Sequence, residues 1–178
     1  SIRPFRVVVG GLKIQDKLVA LKTLLPKADT VLLGGGIAYT FLAAQGVAIG
    51  DSPVEQDFIP WAQDMLTKYR DHILLPKDHV IAKSMEQQPD GIQIVQGAIP
   101  AGFKGLDVGR DTSLAFAHEL LTGTGSVFWN GPLGAYEVDE FAGGTVDIAR
   151  AMALAHWRGA HTVVGGGDTV AAVRKAEV

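Results

Sequence analysis

Thr162-Val163-Val164-Gly165-Gly166-Gly167-Asp168-Thr169-Val170-Ala171-Ala172-Val173 is the stretch that decides the fold, because an apolar strand runs into three glycines and then into an apolar-periodic helix. Three consecutive residues without a Cβ atom let backbone N–H groups approach an anion closely. The free N–H groups at the start of the helix add partial positive charge at the same point. The stretch therefore predicts a phosphate site at the end of a strand.

Asp168 is an unexpected residue beside such a site. A carboxylate would repel a phosphate unless a cation lies between them, so the pairing favours Mg²⁺ held together with a nucleotide. Asp is also a frequent helix cap, and a cap would need no metal. The local sequence leaves both roles open, and the two can coexist.

Composition places the chain among ordinary globular domains. Its 178 residues suffice for one well-cored domain, and 47% hydrophobic content with 20% charged residues argues against disorder. The formal net charge is −3 and no run of Lys or Arg occurs, which argues against a nucleic-acid surface. The glycines, 22 of 178, lie in clusters at predicted strand ends, as expected of turns.

The sequence also indicates a cytoplasmic protein without a membrane partner. No cysteine is present, which excludes a disulfide framework and thiolate chemistry and fits a reducing compartment. The first residues show no signal-peptide pattern. No apolar run approaches the roughly 20 residues that a membrane span needs.

Short apolar runs alternate with helical periodicity along the chain. Strands are predicted over 5–9, 30–33, 73–76 and 126–129 and at the start of the opening stretch, and helices over 38–45 and 58–69 and around the apolar positions at 18–25, 114–121 and 146–153. The runs 80–82 and 92–95 predict a small side ribbon. This alternation predicts an α/β fold: a three-layer, Rossmann-like open and mostly parallel sheet with helices on both faces and a ligand crevice outside the carboxyl ends of the strands.

Two lysines follow the first strand in Gly10-Gly11-Leu12-Lys13-Ile14-Gln15-Asp16-Lys17. Their spacing of four places both ammonium groups on one side of a helix, where they could hold phosphates or a transferring phosphoryl group. Two solvated surface lysines would give the same pattern, so the local sequence leaves both interpretations open.

A glycine-proline turn, Trp129-Asn130-Gly131-Pro132-Leu133-Gly134-Ala135-Tyr136-Glu137, carries an amide and a carboxylate. Asn130 can bond a phosphate or a ribose, and Glu137 a ribose hydroxyl, although the local residues alone favour a turn-forming Asn and an exposed Glu. No stretch fits G-x-x-x-x-G-K-[ST], and no G-x-G-x-x-G is completed. The five histidines lack zinc spacing and no G-x-S-x-G elbow occurs, so metallohydrolase and serine-hydrolase classes are poor fits.

These motifs, in this order, closely resemble the C-terminal, nucleotide-binding domain of the phosphoglycerate kinase family. The resemblance covers nearly all 178 residues and is carried by the segments 10–17, 34–41, 75–78, 105–109, 129–134 and 165–169. It implies a kinase that transfers a phosphoryl group reversibly between 1,3-bisphosphoglycerate and Mg-ADP, giving 3-phosphoglycerate and Mg-ATP. It further implies a monomeric, hinge-bending, two-domain enzyme, of which residues 1–178 are the nucleotide-binding domain without the N-terminal substrate domain or the final C-terminal glycine-rich segment.

The resemblance also assigns site residues. Lys13 and Gly166 would be catalytic, and Asp168 would hold Mg²⁺. The nucleotide, ATP or ADP, would be bound by Gly11, Lys13, Lys17, Gly34, Gly35, Gly105, Leu106, Asn130, Pro132, Ala135, Glu137, Gly165, Gly166, Gly167, Asp168 and Thr169. The chain alone is expected to bind Mg-nucleotide weakly and not to turn over, since both substrates must be brought together by domain closure.

Two residues depart from the family pattern at the base-binding end. Leu12 stands where the family usually has a small residue, and Pro53 where it usually has a bulky apolar one. A non-catalytic nucleotide-binding or interaction module with the same fold is the alternative function, and the joint presence of Lys13, Lys17 and Asp168 argues against it. A Rossmann-type oxidoreductase domain is disfavoured by the missing dinucleotide fingerprint.

Overall fold

The computed structural model describes residues 2–178. Its strands are β1 (Phe5–Val9), β2 (Thr30–Leu33), β3 (Ile73–Leu74), β4 (Asp78–Ala82), β5 (Gln93–Gln96), β6 (Lys104–Val108), β7 (Ser126–Asn130) and β8 (His161–Gly165). Its α-helices are α1 (Ile14–Leu24), α2 (Gly35–Ala44), α3 (Ile59–Lys68), α4 (Arg110–Leu121), α5 (Gly143–Trp157) and α6 (Gly167–Lys175). Within the described residues no helix is long and apolar enough to cross a bilayer.

Five strands form one parallel sheet in the order β3-β2-β1-β7-β8. All five residues of β1 are buried, because this strand lies at the centre of the sheet with helices on both faces. The chain passes from β1 outward to β2 and β3 and then returns to β7 and β8 on the other side. The carboxyl ends of β1 and β7 are therefore the topological switch point, where open α/β sheets bind ligands.

Alternate residues of β1 serve the two helical layers. Val7 and Val9 pack in a core with α1, α2 and α3, whereas Val8 packs in a second core with α4 and α5 that also contains Trp129. A strand whose two sides are both apolar fits only between two covering layers. The predicted three-layer α/β architecture is confirmed.

A second, three-stranded antiparallel sheet has the order β5-β4-β6 and lies beside α2. The sequence predicted a small ribbon from two of these strands and missed β6. That strand reads Lys104-Gly105-Leu106-Asp107-Val108, so a glycine and a buried carboxylate interrupt the apolar pattern. This small sheet supplies one wall of the cleft described below.

Some predicted boundaries were wrong. The strand expected over 73–76 covers only Ile73 and Leu74, because Pro76 has no N–H to donate to a sheet ladder. The helix expected to begin at residue 38 begins at Gly35, so two glycines that were read as a turn belong to its first turn. Gly36 fits there because a Cβ atom on it would lie 2.3 Å from the carbonyl oxygen of Leu12.

Candidate nucleotide site

A cleft with a volume of about 780 Å³ lies at the carboxyl edge of the parallel sheet. It is bounded by the turns that follow β1 and β2, the loop after β7, the strand β6 and the start of α6. The cleft is lined by Gly11, Leu12, Lys13, Asp16, Lys17, Gly35, Gly36, Tyr39, Asp51, Pro53, Met85, Lys104, Gly105, Leu106, Pro132, Leu133, Gly134, Ala135, Glu137 and Asp168.

The structure brings ten of the predicted site residues together in this lining. They are Gly11, Lys13, Lys17, Gly35, Gly105, Leu106, Pro132, Ala135, Glu137 and Asp168. Six others lie outside the lining: Gly34, Asn130, Gly165, Gly166, Gly167 and Thr169. The lining residues that were not predicted as site residues from sequence include Asp16, Tyr39, Asp51, Met85 and Lys104.

The glycine turns interlock at the floor of the cleft. The N–H of Gly11 donates to the carbonyl of Pro132 at 2.9 Å, and the N–H of Gly35 donates to the carbonyl of Leu133 at 3.2 Å. Gly131 has φ of +103°, and a Cβ atom on it would lie 2.2 Å from the carbonyl oxygen of Gly10. Glycine is thus needed here for close packing of turns, and the amides of Gly11 and Gly35 are already satisfied by protein carbonyls.

Lys13 and Lys17 converge on the cleft from the start of α1. Lys13 occupies the N-cap position with an extended backbone, φ −126° and ψ 135°. Lys17 lies one turn further, and its Nζ donates a 2.6 Å hydrogen bond to Oδ1 of Asn130. Both side chains line the same cleft, so Lys13 and Lys17 are not two unrelated surface lysines.

Asn130 and Thr169 support the cleft from behind. Thr169 is fully buried, and its Oγ1 accepts a 2.6 Å hydrogen bond from the N–H of Gly131. Asn130 ends β7 and orients Lys17 through its amide oxygen. Both residues contact the turns that form the site. Their contact with the nucleotide, which the resemblance implies, stays a prediction.

Asp168 lies in the first turn of α6 and its carboxylate faces the cleft. The helix is preceded by Gly166 as its N-cap residue, and within residues 2–178 no side chain caps this helix. The cap interpretation of Asp168 is therefore wrong, because Asp168 lies two residues after the N-cap position and makes no cap hydrogen bond. The backbone turns at Gly166, whose φ of +87° lies in the left-handed region that favours glycine.

Mg²⁺ chemistry fits the oxygen donors available here. Within the described residues no group of three or more His, Cys, Asp or Glu side chains is placed to hold a metal. Mg²⁺ ordinarily keeps several waters and binds one or two carboxylates together with substrate phosphates. A single carboxylate such as Asp168, facing a cleft with two lysines, matches that mode of binding.

The opposite end of the cleft is more apolar. Tyr39 is almost fully buried, and its hydroxyl packs against Gly105, where a Cβ atom would lie 2.1 Å from Oη. Burial raises the pKa of the Tyr39 phenol, so the side chain stays neutral at ordinary pH. Pro53 and Met85 add further apolar side chains to the lining of the cleft. Tyr39 falls one helical turn after Gly35, a spacing that could have placed it in the cleft from sequence.

A loop carries Glu137 into the cleft and is fixed at two points. The N–H of Ala135 donates to the carbonyl of Leu106 at 2.8 Å, which ties the loop to β6. Lys175 on α6 donates to the carbonyl of Tyr136 at 2.6 Å and pairs with Asp139 at 2.9 Å. The loop is therefore held between the small sheet and the helix that bears Asp168.

Asp107 is a buried carboxyl directly behind this wall and was missed as a structural group. It is 2% exposed, and its two oxygens accept hydrogen bonds from the N–H groups of Val108 and Gly144, each at 2.9 Å. Removal from water raises the pKa of Asp107 to about 8, against the opposing effect of the two N–H donors. The carboxyl is therefore mostly protonated at neutral pH.

Comparison with known proteins indicates the family of this chain. A family model described as phosphoglycerate kinase matches residues 1–178. Proteins named phosphoglycerate kinase from Nocardia farcinica and Rhodococcus jostii are 45% identical over 172 residues and 46% identical over 173 residues, with 97% of this chain covered in each case. These alignments cover 42% and 43% of the relatives, so the chain spans less than half their length.

Solved structures give the same result. A phosphoglycerate kinase from Coxiella burnetii superposes with a TM-score of 0.90 at 35% identity, over 98% of this chain and 45% of that chain. Another from Pyrococcus horikoshii superposes with a TM-score of 0.80 at 26% identity, over 97% of this chain and 44% of that one.

Proposed function

This chain belongs to the phosphoglycerate kinase family, and we propose that it forms the nucleotide-binding half of an enzyme that moves a phosphoryl group between 1,3-bisphosphoglycerate and ADP. The observation that carries the proposal is the convergence of Lys13, Lys17 and Asp168 on one cleft at the switch point of the sheet. Two ammonium groups attract phosphate, and a lone carboxylate among them is accounted for by a bound cation. Membership of this family favours an acyl phosphate as the phosphoryl donor to ADP.

The nucleotide would lie along the cleft with its base at the apolar end. The slot beside Tyr39, Pro53, Gly105 and Leu106 suits a flat heterocycle, and the cleft volume of about 780 Å³ falls in the range of small-molecule sites. Glu137 would accept a hydrogen bond from a ribose hydroxyl. The phosphate chain would then reach toward the lysines and the start of α6, whose first N–H groups have no partners within the helix.

The chemistry follows from where the charges would lie. In the direction that makes ATP, a β-phosphate oxygen of ADP attacks the acyl phosphate, the new O–P bond forms as the acyl O–P bond breaks, and a carboxylate leaves. Lys13 would neutralise charge on the transferring group, and Lys17, oriented by Asn130, would hold the nucleotide phosphates. Gly166 would present its backbone to the same group. Mg²⁺, when held by Asp168 and the nucleotide, supplies further positive charge.

The phosphoglycerate would be held by a second domain, for which the greater length of the relatives leaves room. Transfer requires both substrates in one geometry, which domain closure supplies in enzymes of this type. We therefore expect the chain alone to bind Mg-ADP or Mg-ATP without turning over phosphoglycerate. The full protein is proposed to act as a cytoplasmic monomer.

Calorimetric titration with Mg-ADP tests the proposal. Lys17→Met should weaken binding about tenfold or more, since a hydrogen bond to a charged group contributes roughly 1.5–3 kcal/mol. Lys22→Met is the matched control, because Lys22 is an exposed lysine near the end of the same helix and outside the cleft, and it should leave the affinity within about twofold. No heat at millimolar Mg-ADP, or equal binding of NADH, would refute the nucleotide assignment.

A further inference from the structure

The first turn of α1 is capped from a distant part of the chain. Lys13 occupies the N-cap position of this helix but carries no acceptor, and it makes no side-chain cap. The carboxylate of Glu55 takes that place: Oε1 accepts a 2.5 Å hydrogen bond from the N–H of Ile14, and Oε2 accepts one from the N–H of Gln15 at 3.3 Å. Glu55 thus binds the two amides that directly follow Lys13.

Glu55 is itself fixed in place. Its backbone N–H donates a 3.0 Å hydrogen bond to Oγ1 of Thr40, a fully buried residue of α2. Asp51 and Pro53, shortly before Glu55 in the same segment, line the cleft. One short segment therefore connects the region proposed for the base with the helix that begins at the lysines.

We infer that Glu55 is a positioning residue for Lys13, holding the start of α1 so that the Lys13 ammonium faces the phosphate end of the cleft; this inference rests on the proposed function. An alternative effect of Glu55 opposes this one. Its negative charge lies beside Lys13 and reduces the attraction of the region for an anion. Positioning predicts that loss of the side chain weakens nucleotide binding, whereas the charge effect alone predicts that loss strengthens it.

Two substitutions separate these effects in calorimetric titrations with Mg-ADP. Glu55→Gln keeps an oxygen that can accept the Ile14 N–H but removes the charge, and it should bind Mg-ADP within about twofold of the wild type. Glu55→Ala removes the cap and should weaken binding about fivefold or more, because the charge-assisted contact of Lys13 with phosphate is partly lost. Asp64→Ala, an exposed carboxylate on α3, is the matched control and should change nothing.

A second measurement distinguishes positioning from a purely structural cap. If Glu55 acts through Lys13, Glu55→Ala should cost less than about twofold when Lys13 is already alanine. Amide hydrogen exchange should also lose protection at Ile14 and Gln15 in Glu55→Ala and not in Asp64→Ala. Should Glu55→Ala fail to fold, Glu55→Asp replaces it, because the shorter side chain cannot reach both amides; it should weaken binding about threefold with the same loss of protection.

The outcomes are distinct. Wild-type affinity in Glu55→Ala, or in Glu55→Asp with lost amide protection, overturns the positioning role while leaving the proposed function intact. Tighter binding by both Glu55→Gln and Glu55→Ala also overturns it in favour of the charge effect. An equal loss with and without Lys13 assigns Glu55 a structural role only. Absence of Mg-ADP binding by the wild type overturns this inference and the proposed function together.

Discussion

Asp107→Asn should change how the stability of this protein depends on pH. The pKa of the Asp107 carboxyl is raised from 3.8 to about 8 in the folded chain, chiefly because the group is removed from water. In the unfolded chain the group returns to its ordinary value near 3.9. The folded state therefore binds more protons than the unfolded state between about pH 4 and pH 8. The resulting contribution to stability is fully present below about pH 4 and is lost as pH rises from 4 through 8.

The size of the effect follows from the shift. A difference of about four pKa units corresponds to on the order of 5 kcal/mol in the free energy of unfolding. About three of these four units lie below pH 7, so most of this stabilisation is already lost at pH 7. Asn is neutral at every pH and lacks this dependence. It also lacks one of the two acceptor oxygens that bind Val108 and Gly144, which should cost about 1 kcal/mol at all pH values.

Urea unfolding followed by circular dichroism at pH 5, 6, 7, 8 and 9 measures the difference. At pH 5 the two proteins should be similar in stability, and by pH 8 the variant should be more stable by several kcal/mol. Asp64→Asn, at an exposed position, is the control and should follow the wild type at every pH. A difference between Asp107→Asn and wild type that stays constant within about 1 kcal/mol from pH 5 to 9 would refute the reasoning.

Two further substitutions test the cleft. Asp168→Asn should leave the fold intact but lower the affinity gained when Mg²⁺ is added to ADP, with little change for metal-free ADP because a repelling charge is gone; equal Mg²⁺ enhancement in variant and wild type, by parallel titration, would remove Asp168 from the metal site. Gly131→Ala should destabilise the protein by more than about 2 kcal/mol in urea unfolding, because its Cβ atom would clash with the carbonyl of Gly10. Gly97→Ala is the control, because Gly97 also has a positive φ but has nothing within 4 Å of an added Cβ atom, and it should cost about 1 kcal/mol. Equal costs at the two glycines would show that the turns can move apart.

The large sheet could be predicted from sequence because its central strands are buried on both faces. Val7, Val8 and Val9 form an uninterrupted apolar run, and a run of this kind is informative wherever helices cover both sides. β6 is buried to a similar degree but was missed. Its Gly105 is required by the Tyr39 hydroxyl and its Asp107 is satisfied by backbone amides, and both conditions arise only after the chain has folded.

The cleft could be located from the glycine clusters, but the structural role of each glycine could not be predicted from sequence. The resemblance assigned Gly11 and Gly35 to the nucleotide, and the N–H groups of these two residues are bonded to the carbonyls of Pro132 and Leu133. These glycines allow three turns to pack against one another at the switch point. Sequence shows that a turn lacks side chains; it does not show which neighbour will occupy the space.

The lysine pair could be predicted from sequence, whereas the residues that hold the two lysines in position could not. Lys13 and Lys17 are four residues apart, and this short spacing after a double glycine indicated a shared site from sequence, although Lys13 is the extended N-cap residue and only Lys17 lies within α1. Glu55 is 41 residues from Ile14 and Asn130 is 113 residues from Lys17, and nothing local relates them. Asn130 reaches Lys17 because the parallel sheet aligns the ends of β1 and β7 at one edge. Glu55 reaches the start of α1 from the segment that follows α2. The charges that would meet the ligand are thus encoded locally, whereas the groups that hold those charges in position are supplied by the topology.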